Sequence, residues 1–193
     1  RRILEAGGAQ ALTSAMRQHP SDAEVQTTAC RAIQHLAAST LAGAAVQLGD
    51  AGACNAIRAA MDALPSDALV QQAACHALEL LAFGGEGPRS QAVADGAVEA
   101  GVRALKGHRN NGHTLQAATA ALHAMIEDGP ESVQRLTKAG GIAAIVSALS
   151  DCRDEQQLQY WGRLLLRGIC ASSSELRSEV LRKCHWQGIE LEL

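Results

Sequence analysis

The chain repeats itself. Four segments share one opening: Glu5-Ala6-Gly7-Gly8-Ala9, Asp50-Ala51-Gly52-Ala53-Cys54, Ala94-Asp95-Gly96-Ala97-Val98 and Lys138-Ala139-Gly140-Gly141-Ile142. Their shared glycines, Gly7, Gly52, Gly96 and Gly140, stand 45, 44 and 44 residues apart. Nine residues after each glycine comes a large apolar residue, Met16, Met61, Leu105 and Leu149. A second anchor, Ala29, Ala74, Ala118 and Gly162, keeps the same 45, 44 and 44 spacing. Two anchors agreeing on one period describe a stack in which each unit buries its apolar face only against the next.

Inside a unit the period is helical. Val25, Ala29, Ile33 and Leu36 follow i, i+4, i+8 and i+11, one face of a helix, and Val70/Ala74/Leu78/Leu81 and Leu158/Gly162/Leu166/Ile169 repeat it. Leu78, Leu122 and Leu166 are then equivalent positions expected in the core. Pro20 and Pro65 fall just before the long helix, and Pro88 and Pro130 just before the short helix of the next unit. Ser21 and Glu24 have the spacing of a capping box at the start of the long helix. The four repeat glycines fall between two helices, where a turn with φ > 0 favours glycine. Each unit thus reads as a short helix, a glycine turn, a middle helix, a capped turn and a longer third helix. Aromatic residues are only 2% of a chain that is 47% hydrophobic, which suits close helix–helix contacts better than a β-sandwich.

Three helices in about 44 residues lie within the range of armadillo and HEAT arrays. Through the Ala139-Gly140-Gly141-Ile142 type of turn and the Ala74/Ala77/Leu78/Leu81 core of the third helix, the sequence resembles the armadillo family over nearly its whole length. The resemblance implies an all-α, right-handed solenoid of about four three-helix repeats plus the start of a fifth. The 193 residues form one domain with units near 1–38, 39–84, 85–128 and 129–172, and a partial unit at 173–193. The chain enters partway through a first helix at Arg1, and its tail opens a unit without core helices, so a longer parent array is expected.

The balance of 17 basic and 20 acidic residues, net −3, lacks the concentrated basic stripe a nucleic-acid binder needs. No stretch approaches 18 uninterrupted apolar residues, which argues against membrane insertion. The six cysteines sit mostly within helical patterns and read as reduced thiols of an intracellular protein, cytoplasmic or nuclear.

In the armadillo family the third helices floor a concave groove that takes partners as extended peptides. Importin-like members carry a Trp, and an Asn four residues on, along those helices. The Trp position falls here on Arg31, His76, Ala120 and Leu164, and the Asn position on His35, Leu80, Ala124 and Gly168, so neither residue is kept. The groove should therefore change along its length. Units one and two offer Arg31, Gln34, His35, His76 and Glu79; the third has Ala117, Ala120 and Ala124 with His123 beside them; the fourth presents Tyr160, Trp161, Leu164 and Arg167. Paired aromatics on such a floor are interface anchors, although Trp161 could instead fill space beside Gly162 or against a neighbouring helix. Arg58, on a second helix, falls on the outer face, away from this groove.

Chemistry finds little support. His108 and His113 share a loop, and Cys184 and His185 are adjacent, but neither pair brings the further ligands a metal site requires. Gly84, Gly85 and Gly87 precede Pro88 without the Gly-Lys-Ser/Thr ending of a phosphate loop, so this stretch reads as a linker. The expectation is a non-catalytic module without cofactor that binds a protein or extended peptide. A metabolite-sensing domain resting on Arg31, His35 and His76 is the alternative from another class.

Overall fold

A computed structural model describes residues 2–39 and 43–191, which among them form thirteen α-helices. First helices of the units are α1 (Arg2–Glu5), α4 (Ala44–Asp50), α7 (Glu86–Ala94), α10 (Pro130–Lys138) and α13 (Ser174–Trp186). Second helices are α2 (Gly8–Gln18), α5 (Ala53–Ala63), α8 (Ala97–Gly107) and α11 (Gly141–Asp151). Third helices are α3 (Ala23–Ala37), α6 (Ala68–Phe83), α9 (Gly112–Ile126) and α12 (Gln156–Ser172). The third helices pack on one another in order, as do the second helices, giving two rows with the first helices between successive units.

The repeat glycines do what their period suggests. Gly7, Gly52, Gly96 and Gly140 have φ of 81°, 79°, 87° and 77°, a left-handed turn that costs an L-residue about 1–2 kcal/mol. Each turn reverses the chain between first and second helix. The apolar residue nine positions on then points inward, and Met16, Met61, Leu105 and Leu149 are all buried. Leu78, Leu122 and Leu166 are fully buried at equivalent places on the third helices, so one register runs through three units.

The turn into the third helix differs from its expected form. The cap is Asp22, whose Oδ1 accepts from the amides of Glu24 and Val25 at 3.0 Å, and Ser21 lies one residue outside. Asp67 repeats this on Leu69 and Val70 at 3.0 Å, and Asn111 takes the Thr114 amide at 3.0 Å. A carboxylate on the cap meets the positive end of the helix dipole and two orphan amides at once, which Ser21 one residue earlier cannot reach. Pro88 also sits elsewhere than expected: it lies inside the first turn of α7, where the missing amide has no intrahelical partner to lose, while Pro130 opens α10.

A second recurring device joins the helices within a unit. Gln26 Nε2 donates to the carbonyls of Met16 and His19, both at 2.8 Å, and so ties α3 to the C-terminus of α2. Gln71 does the same to Met61 and Leu64 at 2.8 and 3.0 Å, and Gln159 to Leu149 and Cys152 at 2.8 and 3.1 Å. The last carbonyls of a helix lack intrahelical partners, and the glutamine amide supplies one. In the third unit Leu115 takes this position and is fully buried.

Units are stitched by side chains reaching across the seam. Lys106 donates to the carbonyl of Ala139 at 2.7 Å, and Arg153 to that of Gln187 at 3.1 Å, each a cation on the C-terminus of the next first helix. The matching contact places Gly188, with φ of 64°, as the turn glycine of a fifth unit, after an α13 of 13 residues against 9 in α10. Arg58, on α5, also takes part in the seam. It pairs with Asp62, which also takes Arg103 of α8, so it belongs to an ion-pair group bridging two units. Five of the six cysteines are buried, and desolvation pushes the thiols of Cys30, Cys54 and Cys75 up to about 12.

Candidate binding face on the third helices

One face of each third helix turns away from the second helices. On α6 it runs through Leu69, Gln72, His76, Leu80 and Phe83, spaced i, i+3, i+7, i+11 and i+14, with Leu69 59% and Phe83 44% exposed. On α12 the same positions are Gln157, Tyr160, Leu164, Gly168 and Ala171, with Arg167 exposed beside them. On α3 they include the exposed Arg31 and His35, with exposed Thr28 and half-buried Gln34 beside them. On α9 the floor closes: Ala117, Ala120 and Ala124 are buried, and only His123 among the expected residues there is partly open.

Five of the expected residues converge. His76 Nδ1 lies 3.3 Å from Glu79 Oε2 on α6. Across on α9, His123 places its ring 5.6 Å from that of Trp161 at a tilt of 53°, and Trp161 meets Tyr160 edge-on at 5.1 Å and 76°. Tyr160 is 60% exposed while Trp161 is half-buried. Trp161 therefore lies over the neighbouring helix α9. It does not fill the space at Gly162: that space belongs to Leu149, whose Cδ2 would stand 2.6 Å from a Cβ placed there. Gly168 is bare for the same reason, since its Cβ would fall 2.6 Å from Ile126 Cδ1. Two glycines on α12 thus let that helix seat closely, and the aromatic pair beside them leans across the seam.

Burial holds the His123 pKa below its ordinary 6.5, and the charges of Glu127 and Glu79 oppose the shift without reversing it. The ring is neutral at pH 7, so indole and imidazole meet as two uncharged rings. Glu127 is itself paired with Arg89 of α7 at 3.3 Å.

Arg31 and His35 stay exposed on α3 and do not join this group, and Leu164 and Arg167 continue the α12 face beyond it. Of Arg31, His35 and His76, the imidazole of His76 is engaged by Glu79 on its own helix. The cavity of about 350 Å³ between α11 and α13 is lined by Val146, Arg182 and Trp186, and one of about 200 Å³ by Met61, Gln71 and Arg103; neither touches those three residues. His108 Nε2 lies 2.9 Å from the carbonyl of Pro65, a contact between units.

Leu69, Phe83 and the glutamine ties escaped the sequence reading. The signal was present: Leu69, His76 and Phe83 share a seven-residue spacing, and Gln26, Gln71 and Gln159 obey the repeat period.

No family model matches the chain, and no curated protein is detectably similar to it. Solved structures are. A designed armadillo repeat protein in complex with the peptide (KR)4 superposes with a TM-score of 0.79 at 20% identity, over 94% of this chain and 72% of its own. Another designed armadillo repeat protein gives a TM-score of 0.77 at 24% identity, over 94% and 73%. An engineered protein from the Northeast Structural Genomics Consortium gives 0.78 at 25% identity, over 91% and 69%. With its helix order, glycine turns and third-helix row, the chain is an armadillo-like repeat solenoid.

Proposed function

We propose that this chain is a non-catalytic module that binds a segment of another protein, in extended form, along the exposed face of its third helices. The observation that carries the reading is the Tyr160–Trp161 pair, an edge-on aromatic corner with Tyr160 60% exposed on that face. Large aromatic side chains that are pre-positioned and partly exposed dominate binding energy at interfaces, because they desolvate a large area with little loss of rotamer freedom. Leu69 and Phe83 add apolar footholds on α6. The polar side chains between them, Gln34, Glu79, His123 and Arg167, recur once per unit at equivalent positions, a spacing suited to a chain laid across the helices. A similarly folded designed protein holds a peptide, which supports the mode of binding and says nothing of this chain's own sequence preference.

A displayed library of random peptides panned against the 193-residue chain tests the proposal. Selected peptides should lose binding to Tyr160→Ala/Trp161→Ala and keep it with Gln10→Ala, a change on the exposed side of α2. Peptides that ignore the aromatic change and respond to the outer one would move the site to the second helices.

A further inference from the structure

We infer that His123 is a proton-operated latch: neutral, its ring braces Trp161 and holds the aromatic corner in place; protonated, it leaves Trp161 and frees that corner. That the corner is a peptide anchor rests on the function proposed above; the latch itself does not.

The geometry suits the ring where it stands only while it is neutral. His123 lies against Trp161 at 5.6 Å, and its Nδ1 is buried without a hydrogen-bond partner among the described residues. A neutral imidazole can leave one nitrogen as a bare acceptor, but in imidazolium both nitrogens are donors. Protonation therefore creates a buried N–H with nothing to receive it where the ring now stands. An unmet buried donor is a larger penalty than a tilted imidazolium–indole contact can offset, so the ring has reason to move.

Two carboxylates act on it. Glu79, on α6, uses Oε2 for His76 at 3.3 Å, and its charge raises the affinity of His123 for the proton. Glu127, on the same helix, is the other carboxylate whose charge reaches the ring, but Arg89 of α7 holds it at 3.3 Å. From α12 come Tyr160 and Trp161, with Arg167 at the repeat position matching His123. α8 and α10 meet α9 through contacts at Leu122 and Ile126: Leu122 lies under Gly101, and the Ser132 hydroxyl donates to the carbonyl of Ile126 at 3.3 Å. Both carboxylates thus favour the charged ring, Glu127 more than Glu79, and each already holds a partner of its own. Burial delays the proton to below pH 6.5, so the latch is shut at neutral pH.

Proton NMR of the free chain carrying Trp186→Phe, which leaves Trp161 as the one indole, reads the latch directly. From pH 7.5 to 5 the His123 ring should titrate with a midpoint below 6.5. The Trp161 indole resonance should move with the same midpoint, and the His123–Trp161 nuclear Overhauser contact should fade with it. His123→Gln should flatten the Trp161 titration, Glu79→Gln should lower the His123 midpoint further, and His76→Asn should leave the Trp161 midpoint traceable to His123. Circular dichroism over the same range should stay constant. A Trp161 resonance that does not move, one that still titrates in His123→Gln, or an Overhauser contact that survives protonation overturns the inference. Since no peptide is present, failure here leaves peptide binding at pH 7.5 to stand or fall on its own test.

Discussion

α9 and α12 occupy equivalent places in successive units and use them in opposite ways. α9 is alanine-rich and sunk between its neighbours, with Ala117, Ala118, Ala120, Ala121 and Ala124 all buried. α12 carries Tyr160, Trp161, Leu164 and Arg167 on the same face and keeps Tyr160 60% exposed. The difference is cooperative. Small residues on α9 let the flanking third helices approach, glycines at 162 and 168 let α12 answer, and Trp161 then lies over His123 of the bare helix. The contrast teaches that in a solenoid a featureless helix is half of a site whose other half stands in the next unit.

The comparison is broken most forcefully through the core the two helices share. Leu122 of α9 and Leu166 of α12 are both fully buried at one register, so either change to Ala should lower stability by about 2–5 kcal/mol in denaturant melts. A loss below about 0.5 kcal/mol at Leu122 would mean that α9 does not share the register of its neighbours.

On the surface the two helices should diverge. Tyr160→Ala with Trp161→Ala should weaken a selected peptide by about 2 kcal/mol or more, whereas His113→Ala on the exposed start of α9 should change affinity by less than about 0.5 kcal/mol. Equal losses, measured by calorimetry, would show the ligand lying on both helices alike.

The glutamine tie sharpens the contrast further, because α12 has it in Gln159 and α9 replaces it with Leu115. Gln71→Leu removes two bonds to Met61 and Leu64, yet introduces a side chain that the third unit already accommodates. The expected loss is about 1 kcal/mol, since the partner carbonyls are left less well satisfied while packing is preserved. A neutral result would show that tie and leucine are interchangeable.

The smallest effect is the pH dependence at the seam between the helices. His123 has a folded pKa below 6.5, so the unfolded chain takes the proton first. The neutral ring's contribution is whole above about pH 6.5 and is lost as pH falls from there toward the folded value. Melts at pH 7.5 and 5.5 should differ more for the parent chain than for His123→Gln. An equal difference would place the dependence on other groups.

The register, the turn glycines and the buried leucines were legible because each is a local demand repeated at one period. A left-handed turn needs glycine, and a helix needs an apolar residue on its inner face, whatever surrounds it. The cap was misjudged by one residue at Asp22, where Ser21 and Asp22 both have capping chemistry and only the backbone path selects one. The ion-pair group at Arg58 was not legible, because Arg103, which completes it through Asp62, belongs to another unit.

The sequence by itself determined that this protein is a stack of three-helix units and which residues line its core, since period and turn chemistry act over a few residues. Only the tertiary structure decided that Trp161 leans on His123, that Glu79 is engaged by His76, and that Arg31 and His35 stand apart from both. The contact of Trp161 with His123 forms between successive third helices, and its distance follows from how closely the two seat. The side-chain volumes at Gly162, Gly168 and the alanines of α9 set that seating, and no single unit contains them all.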